Sequence, residues 1–549
     1  MKCFFKTNNS LRPIFNRAFV CSFVYWQLCM TGGVQSQNTI TPALSKLQMV
    51  ESAITNLYVD KVDEAKLVEE AITKMLSQLD PHSTYSNPEE VKRMNEPLIG
   101  NFEGVGVQFN MVEDTLYVIQ PINNGPSERV GILAGDRIIA VNDTVIAGVK
   151  MSSDKIMSRL RGPKGTEVNL TIIRKGVNEP LTFTVKRNKI PIYSINAFYM
   201  IQPKIGYIRI EHFGTTTVNE FREALTKLQK EGMKDLILDL QENGGGYLNA
   251  AIDITNEFLA QKELTVYTEG RAAKRSEFWA KGDGKFQRGR LIILVNEHTA
   301  SASEIVSGAI QDWDRGIIVG RRSFGKGLVQ YPMDLPDGSM VRLTIARYYT
   351  PVGRCIQKPY ENIEQYHTDI YNRYSKGEMT NVDSIHFLDS LQYKTKKLGR
   401  IIYGGGGIMP DYFVPIDTTF YTDYYRKLRD RGIIIKTAVK YVDNYRNELL
   451  KRYEKFETFS KQFFISDLDL LLADMKELAE KEKIEFDEKE YNISLPFIKT
   501  QFKAFIARDV WGADNYYQII NTTNKSVTCA VEILNSGEYK KILSSGNTH

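Results

Sequence analysis

The stretch from Leu291 to Gln330 constrains the fold more than any other part of the chain. LIILV (Leu291 to Val295) is a short apolar run of strand type, and the small and polar residues NEHTAS follow it. A helix-period segment then runs from about Ala302 to Trp313, GIIVG (Gly316 to Gly320) is a second strand, and a glycine-flanked lysine, Gly325-Lys326-Gly327, comes next. A serine at a strand-to-helix turn is well placed to be a nucleophile. A rigid element presents its hydroxyl, and the helix N-terminus offers free N–H donors to a developing oxyanion.

Two readings compete for Ser301. Ser301-x-x-Glu304 spells a capping box, in which the serine caps the helix for about 1 kcal/mol. In the other reading Ser301 is the nucleophile, with Ser303 as a rival that has no positional argument. Lys326 also has a competitor, because Gly320 to Lys326 matches GxxxxGK, the start of a phosphate loop. Gly327 stands where a Ser or Thr would hold Mg²⁺, and LVQYPM is strand-like where a phosphate loop leads into a helix, so nucleotide binding is disfavoured. His298 invites a Ser-His-Asp reading, but no acid partner can be assigned. A Ser-Lys pair makes better sense of the lysine. As a general base Lys326 must be neutral, so burial has to pull its pKa below the ~10.4 of free lysine, and Phe324, Gly325, Gly327 and Leu328 suit that demand.

The remaining chain changes character several times. From Thr39 to about Glu90 two segments, KLQMVESAITNLYV and EAKLVEEAITKMLSQL, have helical periodicity, and the second ends at Asp80-Pro81-His82-Ser83-Thr84-Tyr85. His82 has no Cys, Asp or His at metal spacing and reads as a loop or capping residue. From about Leu98 to Ile190 short strands alternate with glycine turns and two short helices. The α/β core then starts: KIGYIRIEHF is a strand, TVNEFREALTKLQKEG a helix closed by Gly232, and DLILDL a buried strand running into Gln241-Glu242-Asn243-Gly244-Gly245-Gly246. Those glycines permit close backbone approach to a bound group. Dinucleotide spacing is absent, so donation of N–H groups to a substrate oxygen is preferred. QYPMDLPDGSMVRLTIARYYTPVGRCIQ reads as a hairpin and a further strand, and GRIIYGGGGIMPDYFVP holds a second glycine loop with no assigned job. From about Thr422 onward amphipathic, charged helices carry no visible chemistry, and packing or dimerisation is their expected role.

Two resemblances rest on these residues. The loop Gly104-Val105-Gly106-Val107 and the segment GILAGDRI (Gly131 to Ile138) resemble a PDZ domain. That resemblance implies a peptide C-terminus held at Val105, Gly106 and Val107, with the peptide added as a strand beside Val107, Gln108 and Phe109. TASASEI, a lysine 25 positions after the serine in SFGKG, and Gln330 four beyond it resemble the carboxyl-terminal processing, or tail-specific, serine proteases. This similarity covers roughly Tyr58 to Gln357, including LDPHSTY and YYTPVGRCIQ. It implies Ser301 as nucleophile, Lys326 as general base, Gln330 orienting the lysine amine, and an oxyanion hole from the N–H groups of Ala302 and Gly245. The family's loop often reads LRxNPGG, whereas Gln241 and Gly244 stand here for its arginine and proline, which puts any role of that arginine in doubt.

The fold class implied is a multidomain α/β protein: a core of crotonase and Clp-protease type, an inserted PDZ domain, and helical N- and C-terminal regions. Expected boundaries are a signal peptide at 1–37, a helical region at 38–96, the PDZ domain at 97–190, the peptidase core at 191–360 and a largely helical region at 361–549. Such length does not fit one core. Lys2, Lys6, Arg12 and Arg17 supply four units of the +5 net charge with no acid before Asn38, so the rest is nearly neutral and shows no nucleic-acid footprint. They precede the apolar Ala18 to Met30, the pattern of a secretory signal cleaved near Ser36 or Gln37, with an uncleaved membrane anchor as the alternative. Cys355 and Cys529 would remain after cleavage and read as small buried apolar residues, not as a disulfide framework or metal site. The expected function is an exported, periplasmic serine endopeptidase that needs no metal or other cofactor and cuts proteins near unstructured, apolar C-termini. A non-catalytic PDZ adaptor serving another protease is the alternative. A regulatory partner, membrane association and a homo-oligomer stay open.

Overall fold

The computed structural model describes residues 41–112, 114–463 and 466–545. The expected signal at Ala18 to Met30 lies outside them. Among the described residues no helix is long and apolar enough to cross a membrane.

The chain divides into two units, up to Ile72 and from Thr73 onward. In the first, helix Pro42–Leu57 begins at Thr41, whose side chain accepts the Leu44 N–H, with proline in the first turn where it costs no hydrogen bond. None of its residues is buried.

The second unit is built on a six-stranded sheet, in the order Ile195–Gln202, Ile205–Ile210, Asp235–Asp239, Leu291–Val295, Ile317–Gly320, Tyr412–Phe413. The first pair is antiparallel and every later pair is parallel. Asp235–Asp239 and Leu291–Val295 are buried throughout, as their unbroken apolar runs predict for strands covered on both faces. Helices Thr217–Lys230, Leu248–Asn256 and Ala302–Asp312 pack on one face. Lys525–Ser536 and Glu538–Ser545 pack on the other through Val527, Val531, Leu534 and Ile542. The core therefore does not stop near residue 360. Its sixth strand, Tyr412–Phe413, comes from the segment of the second glycine loop, and the cover of one face from the helical, charged region, which gave no hint of it.

A second sheet holds the hairpin Leu328–Asp334 and Met340–Tyr349, with Thr84–Ser86 paired to the latter strand. A strand following Lys326, where a phosphate loop needs a helix, removes the nucleotide alternative. Residues 107–186 form the expected inserted domain, with sheet order Val107–Val112, Thr115–Pro121, Arg137–Val141, Glu167–Ile173, Leu181–Lys186. The chain enters and leaves it through one antiparallel ribbon, Asn101–Gly104 against Asn188–Pro191.

Helices Asp423–Asp430, Ile433–Arg452, Ser466–Lys481 and Glu488–Trp511 share a separate aromatic-rich core. The helix Ile433–Arg452 also reaches the inserted domain. Val439 packs with Tyr117 and Ile119, and Asp443 pairs with Arg137 at 2.5 Å. Cys355 and Cys529 are free thiols, each only partly buried, against the expectation of buried apolar residues.

Candidate active site

Asp235–Asp239, Leu291–Val295 and Ile317–Gly320 are neighbouring parallel strands, so the loops leaving their C-terminal ends stand side by side. The first is the glycine loop 241–247, the second carries Ser301 and the third Lys326. Hydrogen bonds sew them together: the Ala300 N–H donates to the Asn243 carbonyl (2.9 Å), the Phe324 N–H to the Thr299 carbonyl (2.9 Å), and the Thr299 hydroxyl to the Leu240 carbonyl (2.8 Å). A cleft of about 1170 Å³ beside these loops is lined by Gly245, Ser301, Ala302, Lys326 and Gln330, with Leu98, Val218 and Leu248 among its apolar walls.

Ser301 sits at φ 59° and ψ −115°. A residue that only capped a helix would be extended, as Asn87 is at φ −69° and ψ 167°. A non-glycine residue at positive φ costs about 1–3 kcal/mol and persists only where its surroundings over-determine it. The surroundings here do so, and the geometry is that of a strained strand-to-helix elbow that lifts a serine hydroxyl out of the backbone.

Glu304 supplies most of that constraint. One carboxylate oxygen accepts the N–H groups of Ser301 and Lys326, both at 2.8 Å. The other accepts the Gly325 N–H at 2.7 Å and the Ser323 hydroxyl at 2.6 Å. The sequence showed Glu304 only as half of a capping box. The Ser301 N–H bond of that box is present, but the same carboxylate also builds the lysine loop. Fully buried, its pKa is pushed up to about 7 by desolvation, against the pull of those donors. Tyr348 adds a second tie: its hydroxyl donates to the Lys326 carbonyl and lies 3.1 Å from that of Ser301.

Burial holds the Lys326 amine below its ordinary pKa, and Arg342 pushes the same way, while Glu304 and Asp80 oppose them. A lysine so placed approaches what a base near neutrality requires. Gln330 lies on the strand Leu328–Asp334, and its amide nitrogen reaches the Thr344 hydroxyl at 3.4 Å.

The Ala302 N–H lies in the first turn of its helix, where no intrahelical carbonyl is available. Gly245 packs directly on the elbow, since a Cβ there would lie 3.0 Å from the Ala302 nitrogen. Its own N–H donates to the Asn243 side-chain oxygen at 2.8 Å, so it reaches an oxyanion only by exchanging that partner. The second glycine loop also finds a job. A Cβ on Gly325 would stand 3.0 Å from the Gly407 nitrogen, so residues 404–407 form the wall behind the lysine loop.

The rival residues separate cleanly. Ser303 is fully buried, with its hydroxyl on the Asn243 carbonyl at 3.1 Å. His298 is exposed and is not among the residues lining the cleft. His82 is more than the loop residue expected. Its Nε2 lies 2.6 Å from the Tyr366 hydroxyl, and burial, then Lys326, push its pKa down to about 4. Among the described residues no cluster of three or more His, Cys, Asp or Glu could hold a metal.

Among the described residues Val107–Val112 is an edge strand of the inserted domain, paired only with Thr115–Pro121. Val105 and Gly106 precede it, buried. Gly106 has φ 74°, and a Cβ there would meet Ile190 Cδ1 at 2.9 Å. Val107 and Phe109 are half-buried against the domain's core.

Residues 204–365 match the model of peptidase family S41 and residues 104–186 that of the PDZ domain. Residues 28–90 match the activating protease CtpB N-terminal domain, and 424–512 a family of unknown function. A carboxy-terminal-processing protease of Bartonella bacilliformis is 37% identical over 326 residues, covering 58% of this chain and 74% of the relative. The carboxy-terminal processing protease CtpA of Bacillus subtilis is 34% identical over 327 residues, 59% of this chain and 69% of the relative. Among solved structures, the photosystem II D1 C-terminal processing protease aligns with 30% identity and a TM-score of 0.31, over 56% of this chain and 88% of that one.

Proposed function

The chain belongs to peptidase family S41, as a serine protease of the carboxy-terminal-processing group with a PDZ domain, and from that premise we propose a Ser301–Lys326 endopeptidase that captures apolar protein tails. The observation that carries this reading is the single buried carboxylate, Glu304, holding both the serine elbow and the lysine loop beside one cleft. A helix cap requires no such link to a lysine.

Neutral Lys326 takes the proton of Ser301 as the hydroxyl oxygen attacks the peptide carbonyl. Negative charge forms on the carbonyl oxygen, where the Ala302 N–H, and the Gly245 N–H once it leaves Asn243, donate to it. The lysine ammonium then protonates the leaving amine, and the C–N bond breaks to leave an ester on Ser301. Lys326, neutral again, deprotonates a water that attacks the ester. Collapse of that second tetrahedral species releases the carboxylate product and returns the proton to Ser301. Gln330 orients the lysine amine throughout.

The substrate's tail adds as a strand along Val107–Val112, with its carboxylate at Val105 and Gly106 and its apolar side chains against Val107 and Phe109. Export rests on the sequence before Asn38 and belongs to the same reading. The division of labour follows: 97–190 captures the tail, the α/β core, completed by Tyr412–Phe413 and by the helices from Lys525 onward, cuts, and the intervening helices support both.

The test incubates the full chain and its Ser301→Ala and Lys326→Ala variants with an unfolded protein bearing an apolar C-terminal tail, and maps fragments by mass spectrometry. Cleavage by the parent alone is expected. Equal cleavage by the Lys326→Ala variant would exclude the Ser-Lys mechanism, and tail binding without cleavage by the parent would favour an adaptor.

A further inference from the structure

Asp80 stands at one end of a hydrogen-bond chain whose direction chemistry alone determines. The residue opens the segment Asp80-Pro81-His82-Ser83 and is 6% exposed. Its Oδ1 accepts the His82 N–H (2.8 Å), the Ser83 N–H (2.9 Å) and the Thr344 hydroxyl (3.0 Å), while Oδ2 accepts the Ser83 hydroxyl (2.5 Å). The Ser83 oxygen in turn accepts the Thr344 N–H at 3.1 Å. Thr344 is thereby held by both its backbone and its side chain.

Thr344 lies directly opposite Gln330 in the hairpin, immediately after a register shift between Val329 and Gln330. The Gln330 Nε2 donates to the Thr344 hydroxyl oxygen at 3.4 Å. An ionised carboxylate only accepts, and a hydroxyl has one hydrogen. Thr344 therefore gives its hydrogen to Asp80 and has only lone pairs left for Gln330. Gln330 must present its NH₂ to Thr344, and its Oε1 is left for another donor. Lys326 lines the same cleft as Gln330.

We propose that Asp80 is a positioning residue for the general base: through Thr344 it fixes the Gln330 amide with its oxygen facing the Lys326 amine. This rests on Lys326 being the base. The relay gives the Asp80 segment a task on the catalytic side of the protein, beyond ending a helix. Four other groups bear on it. Arg342 and Glu304 act on the Lys326 charge from the hairpin and the nucleophile helix, and the charges of Lys326 and Lys358 both act on His82.

The experiment measures kcat and KM against pH for the full chain and for Thr344→Val, Thr344→Ser, Asp80→Asn and Lys326→Ala, with melting temperatures alongside. Thr344→Val breaks the relay without touching a charge, and kcat is expected to fall roughly 10- to 100-fold with KM held within about twofold. Thr344→Ser keeps the hydroxyl and is expected to recover most of the loss. Asp80→Asn removes a negative neighbour, so the rising limb of kcat/KM is expected to move to lower pH by charge alone, and the threonine pair tests the relay itself. Thr344→Val with the parent's kcat, or with a loss that Thr344→Ser does not recover, would overturn the relay. If Asp80→Asn does not fold, the threonine pair decides alone. Activity retained by Lys326→Ala would remove the base itself, a failure distinct from an inactive Lys326→Ala beside a fully active Thr344→Val.

Discussion

Gly245 has no room for a side chain because Ser301 occupies the space: a Cβ on Gly245 would lie 2.8 Å from the Ser301 Cβ and 2.9 Å from the Ala300 carbonyl oxygen. Gly245 also has φ 105°, a conformation that disfavours any Cβ. Both obstacles bear on the elbow that presents the nucleophile. Gly245→Ala is expected to lower stability by about 1–3 kcal/mol and to lower labelling of Ser301 by a serine-reactive fluorophosphonate. Gly244 has open space around it and no positive φ, so Gly244→Ala is expected to keep the parent's melting temperature. Equal melting temperatures and equal labelling for both variants would contradict this packing.

Glu304 makes stability depend on pH in a defined direction. Its folded pKa of about 7 lies above the ordinary 4.5, so its contribution to stability is complete below pH 4.5 and is lost as pH rises through about 7. The difference amounts to about 3 kcal/mol. Glu304→Gln does not ionise, so urea titrations across this range should show the parent losing stability relative to the variant. The variant should also lose activity. One amide oxygen cannot serve four donors, and each buried N–H left unpaired costs about 1–3 kcal/mol. A constant stability difference across the range would place the Glu304 pKa elsewhere.

Local pattern made much of this arrangement legible. Apolar runs marked the strands Asp235–Asp239, Leu291–Val295 and Ile317–Gly320, and the turn after each is visible as glycine or small residues. Parallel neighbours then bring those turns together. What the pattern could not carry was contact between distant segments. Asp80 lies 264 positions from Thr344, and nothing in either neighbourhood announces the bond. Glu304 illustrates a different limit. The spacing Ser301-x-x-Glu304 marks a helix start, but a carboxylate has two oxygens and the capping box accounts for only one. The sixth strand, Tyr412–Phe413, has two residues, too few for any periodicity.

The contact between the PDZ domain and the helix Ile433–Arg452 is mixed: Val439 packs with Tyr117 and Ile119, Arg137 pairs with Asp443, Lys175 reaches Asn444, and Arg446 donates to the Ile119 carbonyl. Val439 is 1% exposed, so Val439→Asp would bury an unpaired carboxylate against two apolar side chains. Outside that helix the domain is held by the ribbon of Asn101–Gly104 and Asn188–Pro191 and by the Arg161–Glu96 ion pair. The variant is expected to unfold in two calorimetric steps where the parent has one, and to be cut faster within 101–104 and 188–191 under limited proteolysis. A single transition at the parent's temperature would show that the contact does not fix the domain.

Lys326 sets stability against activity. Burial lowers its pKa from 10.5, so below that value the unfolded chain binds the proton more readily than the folded one. The parent therefore loses stability as pH falls from 10.5 to the folded pKa, and near neutrality it bears the cost of a charged or forcibly neutral amine in a dry site. Lys326→Met keeps the length of the side chain and removes the titrating group. It is expected to be inactive yet more resistant to urea than the parent near neutrality, with the advantage shrinking in alkali as the parent's lysine becomes neutral in both states. Activity of the parent should rise with pH through the same pKa, since the neutral amine is the base. The rate is thus expected to turn at the folded pKa, and the urea midpoint difference to change between that pH and 10.5. A Lys326→Met variant less stable than the parent at every pH would mean that the amine is held by favourable bonds in its charged form, which is incompatible with a lysine poised to accept a proton.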